Sequence, residues 1–432
     1  MKTIRGLRIP HSKHTAGYAP EEIPTPPEVT LSMKMHSGSP ARPVVSAGDL
    51  VEVGQLIGEA DGRVSSPVHA SVSGVVKSIN EYDRVTGQKS VSVTIASDGK
   101  QSVYPDIAPP RIANTAQFLE AVQNSGVVGL GGAGYPTAPK LTVKDSVKLD
   151  YILINGAECE PYITADTRTM IDDAEFVAAG AQWMKEYLHP AKILICIEDN
   201  KAEAIQKMRE LTAGLAGIDV HVLPARYPQG ERKILVYNVT KRIVPEGGRL
   251  TDAGCIAINC TTVAVFAKYI KTGMPLVSRC VTVDGPAVKT PKNVIAPIGT
   301  PIRALFEFCG GLKDDCKKVL LGGPMMGAAV PDLDMPTVKV TNALLAFSAQ
   351  DAKTPEPSAC IKCGRCASKC PMRLTPFRIE EAFELKQLER LKQQKVNLCA
   401  ECGCCAYLCP YKRPLAQVMT LSKNMLWEAR QT

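Results

Sequence analysis

The sequence predicts a multidomain α/β and β protein that ends in a small, cysteine-rich helical module. At 432 residues the chain is too long for one ordinary core, and about 150 residues per domain suggests roughly three. Short β-branched runs broken by glycine occupy Val29 to Ser97 and return after Val277, whereas the middle of the chain alternates apolar strands with helical patterns. Near the end, Cys360-Ile361-Lys362-Cys363-Gly364-Arg365-Cys366 runs on to Cys370-Pro371, and the same C-x2-C-x2-C-x3-C-P spacing recurs from Cys399, Cys402 and Cys405 to Cys409-Pro410.

Composition narrows the function classes. No run of about 18 apolar residues occurs, so no membrane span is expected. The polar start, Met1-Lys2-Thr3-Ile4-Arg5-Gly6-Leu7-Arg8, lacks a signal core and argues against secretion. Sixteen cysteines in such a chain are better explained as metal ligands and buried thiols than as disulfides. Net charge is +8, and from Asp351 onward 14 Lys or Arg stand against 8 Asp or Glu. That balance suits an acidic redox partner or an anionic surface; with no basic stripe interleaved with aromatics, nucleic acid is not an expected partner.

The repeated cysteine run is that of bacterial ferredoxins and predicts two [4Fe-4S] clusters. Three thiolates at intervals of three residues wrap one face of a cluster, and in such pairs the fourth serves the other cluster. Cluster one then takes Cys360, Cys363, Cys366 and Cys409, and cluster two takes Cys399, Cys402, Cys405 and Cys370. Pro371 and Pro410 stop further helix beside the fourth ligand. A pair of zinc knuckles is the competing reading, but zinc sites seldom use three evenly spaced cysteines followed by x3-C-P. Cys159, Cys196, Cys255, Cys260, Cys280, Cys309, Cys316 and Cys404 fit no ligand position and read as small buried hydrophobes.

Taken in order, residues 1–27 read as an extended arm with little core of its own. Residues 28–100 resemble the barrel-sandwich hybrid of biotinyl and lipoyl domains. The hairpin that carries a modified lysine in those domains is Asp61-Gly62-Arg63 here, and Met33-Lys34-Met35 lies upstream of it, so the module is expected to be unmodified.

Residues 111–272 form the expected α/β domain. Its helix near Thr115 to Gln123 leads to Gly129-Leu130-Gly131-Gly132-Ala133-Gly134-Tyr135-Pro136-Thr137-Ala138-Pro139-Lys140, whose glycines permit close backbone approach to a phosphate or a flat ring. A buried-strand run, Tyr151-Ile152-Leu153-Ile154, ends in Asn155-Gly156-Ala157-Glu158-Cys159-Glu160-Pro161. Tyr227-Pro228-Gln229-Gly230-Glu231 and Ala257-Ile258-Asn259-Cys260-Thr261-Thr262 follow. These stretches, in this order, resemble the flavin-binding subunit of respiratory complex I, which binds FMN and NADH. The resemblance puts Gly129, Gly131, Gly132, Ala133, Gly134 and Lys140 around the flavin, with Asn155, Glu158, Gly230, Glu231, Asn259 and Thr262 completing the pocket. It sets Tyr135 and Glu160 toward the nicotinamide nucleotide. Ala157 and Arg232 stand where that family carries acidic residues.

Residues 277–345 resemble the soluble-ligand-binding β-grasp fold, with no catalytic residue expected in it. After a linker with Lys353, Pro355 and Pro357 comes the helical, ferredoxin-like module at 355–425, in which Pro376 to Gln394 reads as one amphipathic helix.

The whole order of domains resembles the RnfC family, the flavin- and cluster-bearing part of the Rnf electron transport complex, a membrane-bound ferredoxin:NAD+ oxidoreductase that couples electron flow to cation transport. That resemblance implies two [4Fe-4S] clusters, FMN, NAD(H) as substrate, a ferredoxin or ferredoxin-like partner, other subunits of the complex, and a peripheral place on the cytoplasmic side of the membrane. Soluble relatives, such as the cobalamin reductase of microcompartments or an amino-acid-reductase partner, share the flavin and cluster regions. The full amino-terminal barrel favours the membrane complex.

Overall fold

Sheet by sheet, the fold follows the hydrophobic patterning of the chain. The computed structural model describes residues 6–83, 89–144, 146–353 and 356–430. Met1 to Arg5, part of the stretch read against secretion, and Pro355 of the linker lie outside them. No helix among the described residues is long and apolar enough to cross a membrane.

The arm is tied down along its length. Leu7 pairs with Tyr227, and β1 (Glu21–Glu22) runs parallel to a distant strand of the β-grasp sheet at Val294 and Ile295. Leu7 and Ile9 are buried against Tyr227 and Cys159, so the arm shares a core with other domains.

The barrel-sandwich comprises β2 (Glu28–Ser32), β3 (Arg42–Pro43), β4 (Leu50–Val51), β5 (Leu56–Glu59), β6 (Val68–His69), β7 (Gly74–Asp83) and β8 (Lys89–Ser97) in two sheets, β2-β8-β7-β4 and β3-β5-β6. Alternate residues point inward, as period-two patterning requires: Val29 and Leu31, then Val93 and Ile95, are fully buried. Met33 and Met35 belong to this core, so the Met-Lys-Met triplet is packing, while Asp61-Gly62-Arg63 is exposed.

In the central domain α1 (Thr115–Asn124) and α2 (Thr137–Leu141) precede β9 (Tyr151–Gly156). Then come α3 (Ala165–Asp172), α4 (Ala174–Leu188), β10 (Lys192–Glu198), α5 (Ala202–Thr212), β11 (Ile218–Leu223), α6 (Arg232–Thr240), β12 (Cys255–Asn259) and α7 (Cys260–Thr272). The sheet is parallel in the order β11-β10-β9-β12 and buried on both faces. Ile152, Ile154, Ile193, Ile195, Ile256 and Ile258 meet one helical layer, and Leu153, Leu194, Cys196 and Ala257 meet the other. That is why these strands read as continuous apolar runs.

The β-grasp region places β13 (Ser278–Asp284), β14 (Lys292–Pro297), α8 (Ile302–Phe308), β15 (Cys316–Leu321), β16 (Ala328–Ala329) and β17 (Ala343–Ser348) in a six-stranded sheet completed by β1. The terminal module is helical: α9 (Arg365–Ser368), α10 (Pro376–Glu384), α11 (Leu388–Gln393), α12 (Cys404–Leu408) and α13 (Leu415–Glu428). The single helix expected over Pro376 to Gln394 is two. Lys386 takes a left-handed backbone (φ 52°), and Lys386 and Gln387 donate their N–H groups back to Phe383 and Ala382, which closes α10 before α11 begins. Both halves keep their apolar side inward through Ile379, Ala382 and Leu391.

One buried cation joins domains. Lys339, 1% exposed, donates to the carbonyls of Gly126 (2.7 Å) and Pro67 and to the Ser66 hydroxyl. Burial pulls its pKa down to about 7. Lys339→Met strands those acceptors, and we expect a loss of about 3 kcal/mol in denaturant unfolding. A loss below about 0.5 kcal/mol, within the range of ordinary surface changes, would show that the tether is idle.

Candidate flavin crevice and cysteine hollows

The order β11-β10-β9-β12 means that the chain leaves β9 toward one side and later returns to its other side. Ligands bind outside the carboxyl ends of the strands at such a reversal. Asn155 on β9 and Asn259 on β12 are register partners at that edge. Asn155 donates from Nδ2 to the Gly230 carbonyl (2.9 Å) and accepts from the Ala157 N–H (3.2 Å), which brings the Gly230 loop over the strand end. Asn259 caps α7 by accepting from the Thr262 N–H (3.1 Å), and its Nδ2 donates to Asp166 (2.7 Å).

The glycine loop lies across this edge. Leu130 N–H donates to the Thr262 hydroxyl (3.0 Å), which in turn donates to the Val128 carbonyl (3.2 Å). Gly129 N–H donates to the Tyr135 carbonyl (2.9 Å), closing the loop's base. A Cβ on Gly131 would meet Asn259 Nδ2 at 2.7 Å, whereas one on Gly132 would meet nothing within 4 Å. Gly131, Gly132 and Ala133 therefore present exposed backbone above the strand ends, and Tyr135 is 43% exposed beside them. The barrel holds the loop from behind: Ser37 donates from its hydroxyl to Ala133 O (2.7 Å) and from its N–H to Gly134 O (3.0 Å). Gly134 itself has φ +67°, and a Cβ there would press on Val340 at 2.9 Å.

Lys140 on α2 closes the loop with its charge in a buried setting. Burial, then the nearby Arg232, lowers its pKa to about 8. Among the described residues neither cation forms an ion pair, and two unpaired like charges at one edge suit an anionic ligand.

The acidic residues singled out in sequence are engaged within the protein. Glu231 caps α6, accepting from Lys233 N–H (2.8 Å) and Ile234 N–H (2.9 Å). Glu158 is buried and accepts from Asp166 N–H (2.6 Å) and from the Thr167 hydroxyl at the start of α3; burial pushes its pKa up to about 7. Glu160 lies beneath the β-grasp loop, accepting from Met325 N–H (3.0 Å) and the Tyr227 hydroxyl (3.4 Å). Lys13 of the arm then donates to the carbonyls of Glu158 and Glu160 (2.8 Å each) and of Ile163, fixing the whole segment. Lys13, Asp166 and Met325 carry no local sequence signal for these roles, because each acts through a partner far away in the chain.

The cysteines gather into two hollows. Cys360, Cys363, Cys366 and Cys409 line one, with Ile361, Phe377 and Tyr411. Cys370, Cys399, Cys402 and Cys405 line another, with Met372, Met419 and Cys404. Among the described residues no three His, Cys, Asp or Glu side chains converge on a single metal-ion position. A tetrahedral zinc needs ligands about 2.0–2.3 Å from one centre, whereas four thiols ringing a hollow suit a larger, multi-iron group. Of the remaining cysteines, Cys159, Cys196, Cys255, Cys260, Cys309 and Cys404 are buried, and Cys280 and Cys316 are half-buried.

The two hollows differ in setting. Cys402 and Cys404 share an apolar cluster with Leu7, Ile9, Cys159 and Tyr227, packed by Met325, and a Cβ on Gly403 would strike the Met325 carbonyl at 2.7 Å. The second hollow thus abuts the Tyr227–Gly230 loop. The first opens outward, where Cys360 and Cys363 are exposed.

Comparisons with known proteins agree with this arrangement. Residues 1–100 match the RnfC barrel sandwich hybrid domain, 122–268 the Nuo51 FMN-binding domain, 280–329 the SLBB domain and 359–413 the 4Fe-4S dicluster domain. The C component of the Na(+)-translocating ferredoxin:NAD(+) oxidoreductase complex of Acetobacterium woodii is 39% identical over 383 residues, 87% of this chain and 86% of that protein. The chain belongs to the RnfC family. Its similarity extends to the proton-translocating counterpart of Clostridium ljungdahlii, 38% identical over 87% of this chain and 83% of that one. The corresponding component of the ion-translocating oxidoreductase complex of Rhodobacter capsulatus is 36% identical over 90% and 76%. Among solved structures, an NAD+-reducing [NiFe]-hydrogenase in the H2-reduced state superposes with a TM-score of 0.51 at 16% identity, covering 73% of this chain and 63% of that one, a likeness of fold.

The Glu160 contact gives a pH signature. Burial, opposed by the Met325 and Tyr227 hydrogen bonds, raises its pKa from 4.5 to about 7. The unfolded chain releases this proton near 4.5 and the folded state near 7, so the stabilising contribution is full below the lower value and is lost as pH rises through the upper one. Glu160→Gln stays neutral and lacks that loss. Its melting temperature relative to wild type should climb between those pH values and level off above them; a difference flat with pH would overturn the assignment.

Proposed function

We propose that this protein is the NADH-, FMN- and iron-sulfur-bearing subunit of a membrane-bound ferredoxin:NAD+ oxidoreductase that couples electron transfer to cation translocation, and that it sits peripherally on the cytoplasmic side of the membrane. One observation carries the reading. A single chain combines a glycine-roofed crevice at the reversal point of a parallel sheet with two four-cysteine hollows, one abutting the Tyr227–Gly230 loop of that crevice. The names of the A. woodii and C. ljungdahlii relatives support it.

FMN, when bound, supplies two-electron exchange with a nicotinamide and one-electron exchange with iron-sulfur clusters. In this reading the exposed backbone of Gly131, Gly132 and Ala133 approaches the flavin, Gly129 and Gly134 hold the loop in shape around it, and Lys140 and Arg232 neutralise its phosphate. Asn155, Gly230, Glu231, Asn259 and Thr262 shape the floor through the hydrogen bonds given above. Tyr135 offers an exposed ring to a nicotinamide. Glu158 and Glu160 hold the intervening segment and keep water from the rear of the site. Cys360, Cys363, Cys366 and Cys409 hold one [4Fe-4S] cluster, and Cys370, Cys399, Cys402 and Cys405 the other. None of these steps asks a side chain to act as acid or base.

Protein isolated without oxygen should bleach at flavin and cluster wavelengths on addition of NADH; a colourless, iron-free preparation would sink the reading. Gly131→Ala, whose Cβ displaces Asn259, should lower bound FMN about tenfold or more while the iron content stays. Cysteine sharing is tested separately. With two clusters the wild type holds about eight irons, and joint replacement of Cys370 and Cys399 by serine should leave about four if the fourth ligand is exchanged between runs. Nearly complete loss of iron would mean that each run serves its own cluster.

A further inference from the structure

The floor of the crevice is held by a residue that neither the glycine nor the cysteine pattern marks. Asp166 is the second residue of α3, and each of its carboxylate oxygens accepts one side-chain hydrogen bond from the turn between β12 and α7. Oδ2 accepts from Asn259 Nδ2 and Oδ1 from the Thr261 hydroxyl, both at 2.7 Å. No other carboxylate among the described residues accepts from a side chain of that turn, because Glu158, Glu160 and Glu231 are engaged with α3, the β-grasp loop and α6. A carboxylate only accepts, so it fixes which end of the Asn259 amide points at it. The nitrogen goes to Asp166 and the oxygen to the Thr262 N–H (3.1 Å). That same nitrogen is the atom a Cβ on Gly131 would meet, so the glycine roof lies against the locked amide.

Asp166 is itself anchored from outside the central domain. Its N–H donates to the buried Glu158 carboxylate (2.6 Å), and the Glu158 carbonyl is pinned by Lys13 of the arm. At the start of α3, Thr164 donates its N–H to the Thr282 hydroxyl and its own hydroxyl to Asn293 Oδ1 (3.0 Å each), both on the β-grasp sheet. Arg168 Nη1 donates to the Ala16 carbonyl of the arm (3.2 Å). We propose that Asp166 is a positioning residue of the flavin crevice, which holds Asn259 and Thr261 ready for the flavin and carries the rigidity of the arm and the β-grasp domain into that floor. The inference rests on the flavin reading of the crevice. A site whose supporting hydrogen bonds are made in advance loses less freedom on binding and keeps the reacting groups in register.

The test uses the full chain purified without oxygen. FMN affinity after flavin depletion and the rate of flavin bleaching by NADH at saturating FMN are measured, with iron content and melting temperature read on every sample. Asp166→Ala leaves Asn259 Nδ2 and the Thr261 hydroxyl without their acceptor. FMN affinity should fall about tenfold or more, and bleaching should stay about tenfold slow even with the site filled. Asp166→Asn offers its oxygen to Asn259 and its amide nitrogen to Thr261, and should recover both quantities to within about threefold of wild type. An exchange pair serves if Asp166→Ala folds poorly. Asn259→Asp sets two carboxylates against each other and should weaken FMN binding about tenfold or more, and adding Asp166→Asn restores a donor facing an acceptor and should recover most of that loss. Asp166→Ala that binds FMN as wild type does overturns the proposal. So does a wild-type bleaching rate in Asp166→Ala once saturated, which is what support of the fold alone predicts. Asp166→Asn as defective as Asp166→Ala, or an exchange pair that recovers nothing, overturns it equally. Wild type that takes up no FMN defeats the flavin reading, while wild type that binds FMN alongside variants indistinguishable from it defeats only the role of Asp166.

Discussion

The segment from Glu158 to Ile163 is held by a hydrogen-bond constraint on which the placement of every functional part depends. Three of its carbonyls converge on the buried ammonium of Lys13, and the Glu160 carboxyl reaches both the Tyr227 hydroxyl and the Met325 N–H. Arm, parallel sheet and β-grasp loop thus meet at one point. A Cβ on Gly323 would lie 2.1 Å from Glu160, so the β-grasp loop fits only because its backbone is bare there. Through Tyr227 and Met325 the same point seats the Cys402–Cys404 loop. Through Met325 the β-grasp loop thus touches both the Glu160 segment and the Cys402–Cys404 loop.

The crevice arises from topology. Parallel strands buried on both faces leave only their ends for polar work, and the reversal between β9 and β12 opens a gap there. Asn155 and Asn259 stand at that gap, and each spends its amide on organising backbone. The glycine loop can then lie close overhead, anchored through Thr262 on one side and Ser37 of the barrel on the other. The barrel is consequently a support for the loop as well as an amino-terminal module.

Legibility followed the range of the interactions. The cysteine runs were plain because their spacing is local and repeated, and the parallel strands because burial on both faces leaves unbroken apolar runs. Glu158, Glu160 and Glu231 were visible as residues near a strand end or turn, but their use in capping and bridging was not, since their partners lie at Lys13, Thr167, Met325 and within α6. Lys339 gave no sign at all, because its burial depends on Ser66, Pro67 and Gly126, all distant in the chain. The break at Lys386 was hidden by an apolar periodicity that continues across it, because α10 and α11 bury the same side.

The unequal exposure of the two hollows also sets an order of vulnerability. Cys360 and Cys363 are exposed, while Cys366, Cys370, Cys402 and Cys405 are buried, Cys402 against Tyr227 and Met325. Oxidative damage is therefore expected first at Cys360 and Cys363. In the proposed reading, a chain harmed in this way loses its outward cysteine set before the set that packs beside Tyr227.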